Sequence, residues 1–379
     1  MIKTIKEDAE LEWQKAHELN RQMVHDLFTK DFDQLTSKWI NYDAIAFYEQ
    51  WMWIHTTFYK TNGYNSSLPI KRIWSDGSDD EFINAPEVHE TIKRKFGKSL
   101  NPFIDEMAIY FIGTTAGEKF MPFSNEAFAF KENTRFRNTY RATTIQPTQP
   151  LMVRPQIWQE FLDRLMPREA TCITLNSIEE LQQDFFEAYL AQRIQEPSKP
   201  PHVAILLRGE HGTGKNIWMN EVLGPLIGKS NLKQISLATV NSRFLHDVYQ
   251  STLLHIEEIN DTKRKANETL KKLITEDTAR VEQKNQPATT AKKYFGIILS
   301  SNVHDPIRIE ENDRRYFIPF YSSHLIDQSE TKQFFKRFVS WLNLEGGLQQ
   351  MCNYMHSFKL SAWDFNSPPM TPDKQDLME

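Results

Sequence analysis

The sequence predicts an α/β fold built around a buried parallel sheet. Three observations carry this. Short apolar runs at residues 203–207, 252–256, 294–299 and 316–320 are bounded by turn-forming residues and separated by helical stretches, the pattern of strands covered on both faces. A glycine-rich segment ending in lysine joins the first run to a helical stretch at residues 217–227. The composition, 40% apolar, 25% charged and 12% aromatic over 379 residues, is that of a globular chain of about two to three domains.

Charge and cysteine content narrow the class further. With 45 Lys+Arg against 50 Asp+Glu, a net charge of −5, the chain is not polycationic, so any nucleic-acid contact rests on a local basic patch. The opening residues MIKTIKEDAELEW carry charge where a secretory signal has its apolar stretch, and no run approaches the ~20 apolar residues of a membrane span. A soluble protein of a bacterial or host cytoplasm is expected, with no membrane partner. Cys172 and Cys352 stand far apart without Cys-x-x-Cys spacing, so neither a disulfide framework nor a zinc module is expected.

Residues 1–150 read as an accessory N-terminal domain of mixed α/β or α+β type, for binding nucleic acid or a partner. Apolar spacing at Leu11, Trp13, Ala16, Leu19, Met23 and Leu27 predicts a helix. The aromatic cluster of Phe47, Tyr48, Trp51 and Trp53 could stack on bases, but helical spacing favours a core. Polar stretches at 61–67 and 76–80 read as loops, and 144–150, with Pro147 and Pro150, reads as a boundary. Residues 151–322 carry the sheet, entered through an amphipathic helix predicted over 177–194 with Ser177 as N-cap and Glu180 completing a capping box. Residues 323–379 read as a C-terminal segment: one helix over 331–344 with Phe334, Phe335, Phe338, Trp341 and Leu342 on its apolar face, then a short polar, proline-rich tail.

The chemistry sits at the strand ends. Gly209, Gly212, Thr213, Gly214, Lys215 and Asn216 meet the spacing G-x-x-x-x-G-K between a strand and a helix, the context of a phosphate-binding loop. Backbone N–H groups there form an anion nest, the helix start adds its positive dipole end, and Lys215 reaches the β and γ phosphates of a nucleotide such as ATP. Asn216 stands where Ser or Thr usually ligates Mg²⁺, and its amide oxygen is also a hard neutral ligand. The run 251–256 ends in Glu257 and Glu258, at the carboxyl edge where open α/β sheets bind ligands. Glu257 is assigned to Mg²⁺, usually through water, and Glu258 to polarising the attacking water. Asn302, ending the strand read over 296–302, can bond the γ-phosphate or orient water. Arg314 and Arg315 precede the last strand; such a pair forms surface salt bridges or, in a ring ATPase, reaches a neighbour's γ-phosphate. Between the second and third runs, residues 261–293 hold nine basic side chains against five acidic. There residues 280–295 read as a β-hairpin suited to phosphate contact without base readout.

This order of phosphate loop, Glu-Glu strand, basic hairpin, Asn-ended strand and arginine pair resembles the superfamily 3 helicases of viruses, phages and plasmids. It most resembles the helicase half of phage and poxvirus-type primase-helicases. The likeness is carried by residues 209–216, 253–258, 273–284, 298–302 and 313–320. Residues 123–140 and 367–374 resemble the segments flanking that ATPase, so it spans residues 120–379. It implies an AAA+-like core, a homohexameric ring with ATP between subunits, and single-stranded DNA in the pore gripped by Lys284, Lys292 and Lys293. Asn216 departs from the family pattern, and residues 1–120 show no primase or polymerase catalytic set, so a separate primase or polymerase partner is expected. The leading expectation is an ATP-driven replicative helicase; a remodelling or loading ATPase without processive unwinding, and a DNA-binding module with a degenerate ATPase, are the alternatives.

Overall fold

The computed structural model describes residues 50, 53–61, 70–73, 80–100, 112, 114–131, 134–167, 169–173, 181–240, 245–259, 264–282, 288–323 and 328–378. The chain divides into two compact units: residues up to Lys119 with Glu126–Thr139, and Phe120–Asn125 with Tyr140–Glu379. The chain passes into the second unit for the last time after Thr139, ahead of Pro147 and Pro150, and residues 323–379 lie within that unit.

In the first unit, strands β1 (Phe58–Thr61), β2 (Ile70–Arg72) and β3 (Glu81–Ile83) pair antiparallel. Helix α1 (Ala85–Phe96) begins at Asn84, whose side chain accepts from Glu87 N–H while Glu87 caps Asn84 in return, satisfying two otherwise orphan donors. Val88 and Ile92, one turn apart, pack with Ile54, Phe58, Ile70 and Ile112. Strand β4 (Thr114–Thr115) extends the first sheet parallel to β1, and β5 (Glu118–Lys119), β6 (Phe128–Lys131) and β7 (Thr134–Asn138) form a second, in the order β5-β7-β6. Trp53 packs edge-on against Phe58 and Phe96, a core role. The helix predicted from Leu11 to Leu27, and Phe47, Tyr48 and Trp51, lie outside the described residues.

The second unit holds a five-stranded, wholly parallel sheet. Its strands are β8 (Ala204–Arg208), β9 (Leu232–Ser236), β10 (Leu253–Glu257), β13 (Gly296–Ser301) and β14 (Tyr316–Phe317), in the order β14-β8-β13-β10-β9. A hairpin of β11 (Thr278–Val281) and β12 (Thr289–Lys292) stands between β10 and β13 in the chain. Because side chains alternate along a strand, β8 sends Ile205 and Leu207 to one core and Ala204 and Leu206 to the other. On the first face lie helices α2 (Gln156–Leu165), α3 (Gln182–Gln195), α5 (Gln328–Leu344) and α6 (Gly347–His356), supplying Trp158, Phe186, Phe338 and Met351. On the second lies α4 (Arg264–Thr275), with Leu270, Leu273 and Ile274.

Three elements differ from expectation. Helix α3 begins at Gln182, and Ser177 and Glu180 lie outside the described residues. It is also buried from Gln182 to Arg193, Asp184 excepted, rather than amphipathic. Its Glu187 is tolerated there by Arg154 at 2.5 Å, Trp158 Nε1 at 2.6 Å and Tyr354 Oη at 3.2 Å, as a buried carboxylate requires. Strand β14 stops at Phe317, before Pro319, which has no N–H for a ladder. The polar tail is packed in: Thr371 donates to the Ile318 carbonyl, Asp373 accepts from Arg208 at 2.5 Å, and Lys374 is buried.

Candidate active site

The glycine loop leaves β8 at its carboxyl edge, and close approach explains its composition. A Cβ on Gly209 would strike the backbone of Ser322, which runs alongside it. Gly212 and Gly214 take φ of +81° and +90°, open to glycine at little cost. A Cβ on Gly214 would also collide with the Phe335 ring of α5. Lys215 is buried and folds back, donating from Nζ to the carbonyls of Gly209 and Glu210 at 2.7 Å each. Burial pushes its ammonium down to about 8. Helix begins at Ile217 and is anchored by the buried Trp218 and Met219.

Two strands away, β10 ends in the two carboxylates. Glu257 accepts from Asn216 Nδ2 at 3.0 Å, so the pair expected to share a cation is in contact. Glu258 sits at φ +53°, a left-handed backbone that costs a non-glycine residue roughly 1–3 kcal/mol and recurs at functional sites. At the carboxyl end of β13, between β8 and β10, Ser300 and Ser301 and the following Asn302 border the same space. Together these side chains, with Thr331, Lys332 and Phe335 of α5, line a cavity of about 620 Å³. The sequence signals only the apolar stripe of α5, Phe335 included, and not the place of its residues in the cavity, nor that of the buried His255 beneath Glu257. Burial pushes the His255 imidazole down to about 4, keeping it neutral near pH 7.

The remaining predicted residues lie elsewhere. Ala204 N–H bonds the Arg315 carbonyl at 2.8 Å, placing both arginines at the opposite edge of the sheet from the cavity, roughly 13 Å along β8 at about 3.3 Å per residue. Arg315 is held by the buried Asp313, through its own N–H at 2.8 Å and its guanidinium at 2.9 Å. Arg314 is exposed and makes no ion pair among the described residues. In the hairpin, Thr278 faces Lys292 and Arg280 faces Thr290, putting these four on one solvent-side face while Val281 and Ala291 pack inward. Lys292 is exposed as expected; Lys284 lies outside the described residues. Lys293 corrects the expectation: it is fully buried, and its Nζ donates to the carbonyls of Pro201 and Ile274. One residue past the strand end, the chain turns into the core, so the second of two adjacent lysines cannot face a phosphate.

Comparison with known proteins places this architecture. A family profile described as a family of unknown function (DUF5906) matches residues 207–315, from the end of β8 to the arginine pair. A DNA primase-polymerase of Nitratiruptor phage NrS-1 is 24% identical over 254 residues, covering 66% of this chain and 33% of that protein. The chain thus spans about a third of that relative's length. Among solved structures, the apo C-terminal region of NrS-1 matches with a TM-score of 0.61 at 17% identity, over 87% of this chain and 74% of that one. An A-form apo structure of the same region matches with a TM-score of 0.57 at 18% identity, over 82% and 69%. Among the described residues no helix is long and apolar enough to cross a membrane. In fold, the chain is an α/β protein with a five-stranded parallel sheet, of the kind found in the C-terminal region of that phage primase-polymerase.

Proposed function

We propose that the chain is an ATP-driven motor of phage-type DNA replication, a ring-forming helicase with an AAA+-like core of the superfamily 3 kind. The observation that carries the reading is the convergence of Lys215, Asn216, Glu257, Glu258 and Asn302 on one cavity of about 620 Å³, a size suited to a small-molecule ligand. The loop amides and Lys215 bind the β and γ phosphates of ATP, Lys215 exchanging the carbonyls of its own loop for phosphate oxygens. Asn216 and Glu257 would hold Mg²⁺, since an amide oxygen and a carboxylate side by side suit a cation that completes its shell with phosphates and water. Bound Mg²⁺ would neutralise charge on those phosphates. Glu258 takes the proton of the attacking water. Asn302 orients that water or the γ-phosphate, and Lys332 adds a second cation to the wall.

Arg314 is the better candidate for a group acting on the neighbouring subunit of a homohexamer. Its distance from its own chain's cavity removes a role there, and Asp313 occupies Arg315. Mixing Arg314→Ala subunits with Lys215→Ala subunits is expected to restore part of the hydrolysis that each lacks alone. No rescue in a preparation shown to co-assemble would return Arg314 to the surface.

Single-stranded DNA is assigned to the exposed hairpin face, by Arg280 and Lys292, with a primase or polymerase as working partner. Removing either cation is expected to lower the log–log salt slope of binding by about 0.7 per contact, equally for all sequences. Lys293→Ala should leave that slope unchanged. Equal slopes in all three variants would remove DNA from this face. The whole reading is tested on a forked duplex: ATP-dependent strand displacement supports it. DNA-stimulated hydrolysis without displacement would favour a remodelling ATPase.

A further inference from the structure

Beneath the carboxylates of β10 lies a side chain that the proposed reaction leaves without a task. His255 has none of its surface exposed. Its Nε2 lies 3.0 Å from Ser300 Oγ on β13. Its Nδ1 has no hydrogen-bond partner and stands 3.6 Å from Glu257 Oε1, the oxygen that accepts from Asn216 at 3.0 Å. The pleat explains the alignment: His255 and Glu257 share a face of β10, and pairing of His255 with Ile298 sets Ser300 one step along on the same face of β13.

A buried polar atom without a partner costs about 1–3 kcal/mol. The surrounding face, with Leu253, Ile205 and Ile298, would accept an apolar residue without that cost. A neutral imidazole has one N–H and one acceptor nitrogen. With the Ser300 hydroxyl donating to Nε2, the ring proton sits on Nδ1 and faces Glu257. The polar groups then form one chain, from Ser300 to His255 to Glu257, with Asn216 donating from the other side. At 3.6 Å the contact between His255 Nδ1 and Glu257 Oε1 is longer than a hydrogen bond, and a small rotation of the carboxylate closes it.

The geometry points to His255 as a positioning residue of the nucleotide site, one that donates to Glu257 and holds its carboxylate beside Asn216 for a divalent cation brought in with ATP. This inference rests on the ATP reading above. It also ties the carboxylate to β13, the strand that leads into Asn302, so the two walls of the cavity are set by one hydrogen-bonded row.

The experiment is binding of a non-hydrolysable fluorescent ATP analogue, titrated with Mg²⁺. Loss of a group that orients a metal ligand typically costs 10–100-fold in metal affinity. His255→Leu, which keeps bulk but no N–H, is therefore expected to raise the Mg²⁺ concentration for half-maximal binding by about tenfold, with metal-free affinity unchanged. His255→Asn, whose amide can donate from the Nδ1 position, should recover most of the shift. Ser300→Ala, a smaller change that keeps the core intact should His255→Leu fail to fold, should raise the Mg²⁺ requirement in the same direction. An unchanged Mg²⁺ midpoint in His255→Leu or, if that variant does not fold, in Ser300→Ala overturns the inference. So does an equal loss in His255→Leu and His255→Asn with metal-free affinity falling alongside, the mark of a structural role. Absence of analogue binding by the wild type, with or without Mg²⁺, overturns instead the ATP reading, and the inference with it.

Discussion

Lys215→Ala is expected to weaken ATP binding by about 10- to 100-fold, the loss that follows when a charge-assisted hydrogen bond of roughly 1.5–3 kcal/mol disappears. Turnover should fall further, by about 10²–10³, because a donor aimed at developing charge is worth more in the transition state than in the ground state. The fold should survive, since the change removes a buried ammonium whose hydrogen-bond acceptors, the Gly209 and Glu210 carbonyls and the Thr213 hydroxyl, all belong to its own loop. The same lysine gives binding a pH dependence whose sign follows from burial. Its ammonium is held down to about 8 in the free protein, and an incoming triphosphate favours the charged form and raises it. The lysine's contribution to affinity is thus expected to be constant below about pH 8 and to decline as pH rises above it, with proton uptake on binding in that upper range. Calorimetry in buffers of different ionisation enthalpy reads both effects; near-normal turnover in Lys215→Ala would remove the loop from the reaction.

Glu258→Gln should separate binding from chemistry. The amide keeps shape and hydrogen-bonding reach but cannot take a proton, so ATP binds as in the wild type while single-turnover hydrolysis falls by about 10²–10⁴. The backbone at Glu258, φ +53°, turns the chain abruptly after β10, which lets two consecutive carboxylates serve different partners. Glu257 stays in the ladder opposite Ser236 and meets Asn216, and Glu258 projects from the strand end. A Glu258→Gln protein that still turns over would assign the water to another group.

What the sequence disclosed follows from how local each signal is. The strand before Gly209, the glycine spacing and the carboxylates after Ile256 are contiguous patterns, and all three meet in space as their spacing implies. Strand β9 was missed because Leu232–Ser236 is a half-exposed edge strand without a continuous apolar run. Lys292 and Lys293 could not be told apart because their facing depends on where the hairpin ends, a register that composition does not encode. Arg314 and Arg315 look equivalent in the sequence, whereas in the structure Asp313, two residues from Arg315, pairs with Arg315 and leaves Arg314 exposed. Phe335 and Lys332 reach the cavity from more than a hundred positions beyond the loop, through packing of α5 on Gly214. His255 read as part of an apolar strand, and only the pairing of β10 with β13 brings Ser300 to it.

The central claim, that the cavity above β8, β13 and β10 is an ATP site, is tested most directly by equilibrium titration of the wild-type chain and Lys215→Ala with a non-hydrolysable ATP analogue in the presence of Mg²⁺. The account predicts one saturable site per chain, displaced by ADP, with affinity about 10- to 100-fold weaker in the variant. No saturable binding at millimolar analogue, or equal affinity in the two proteins, would contradict it.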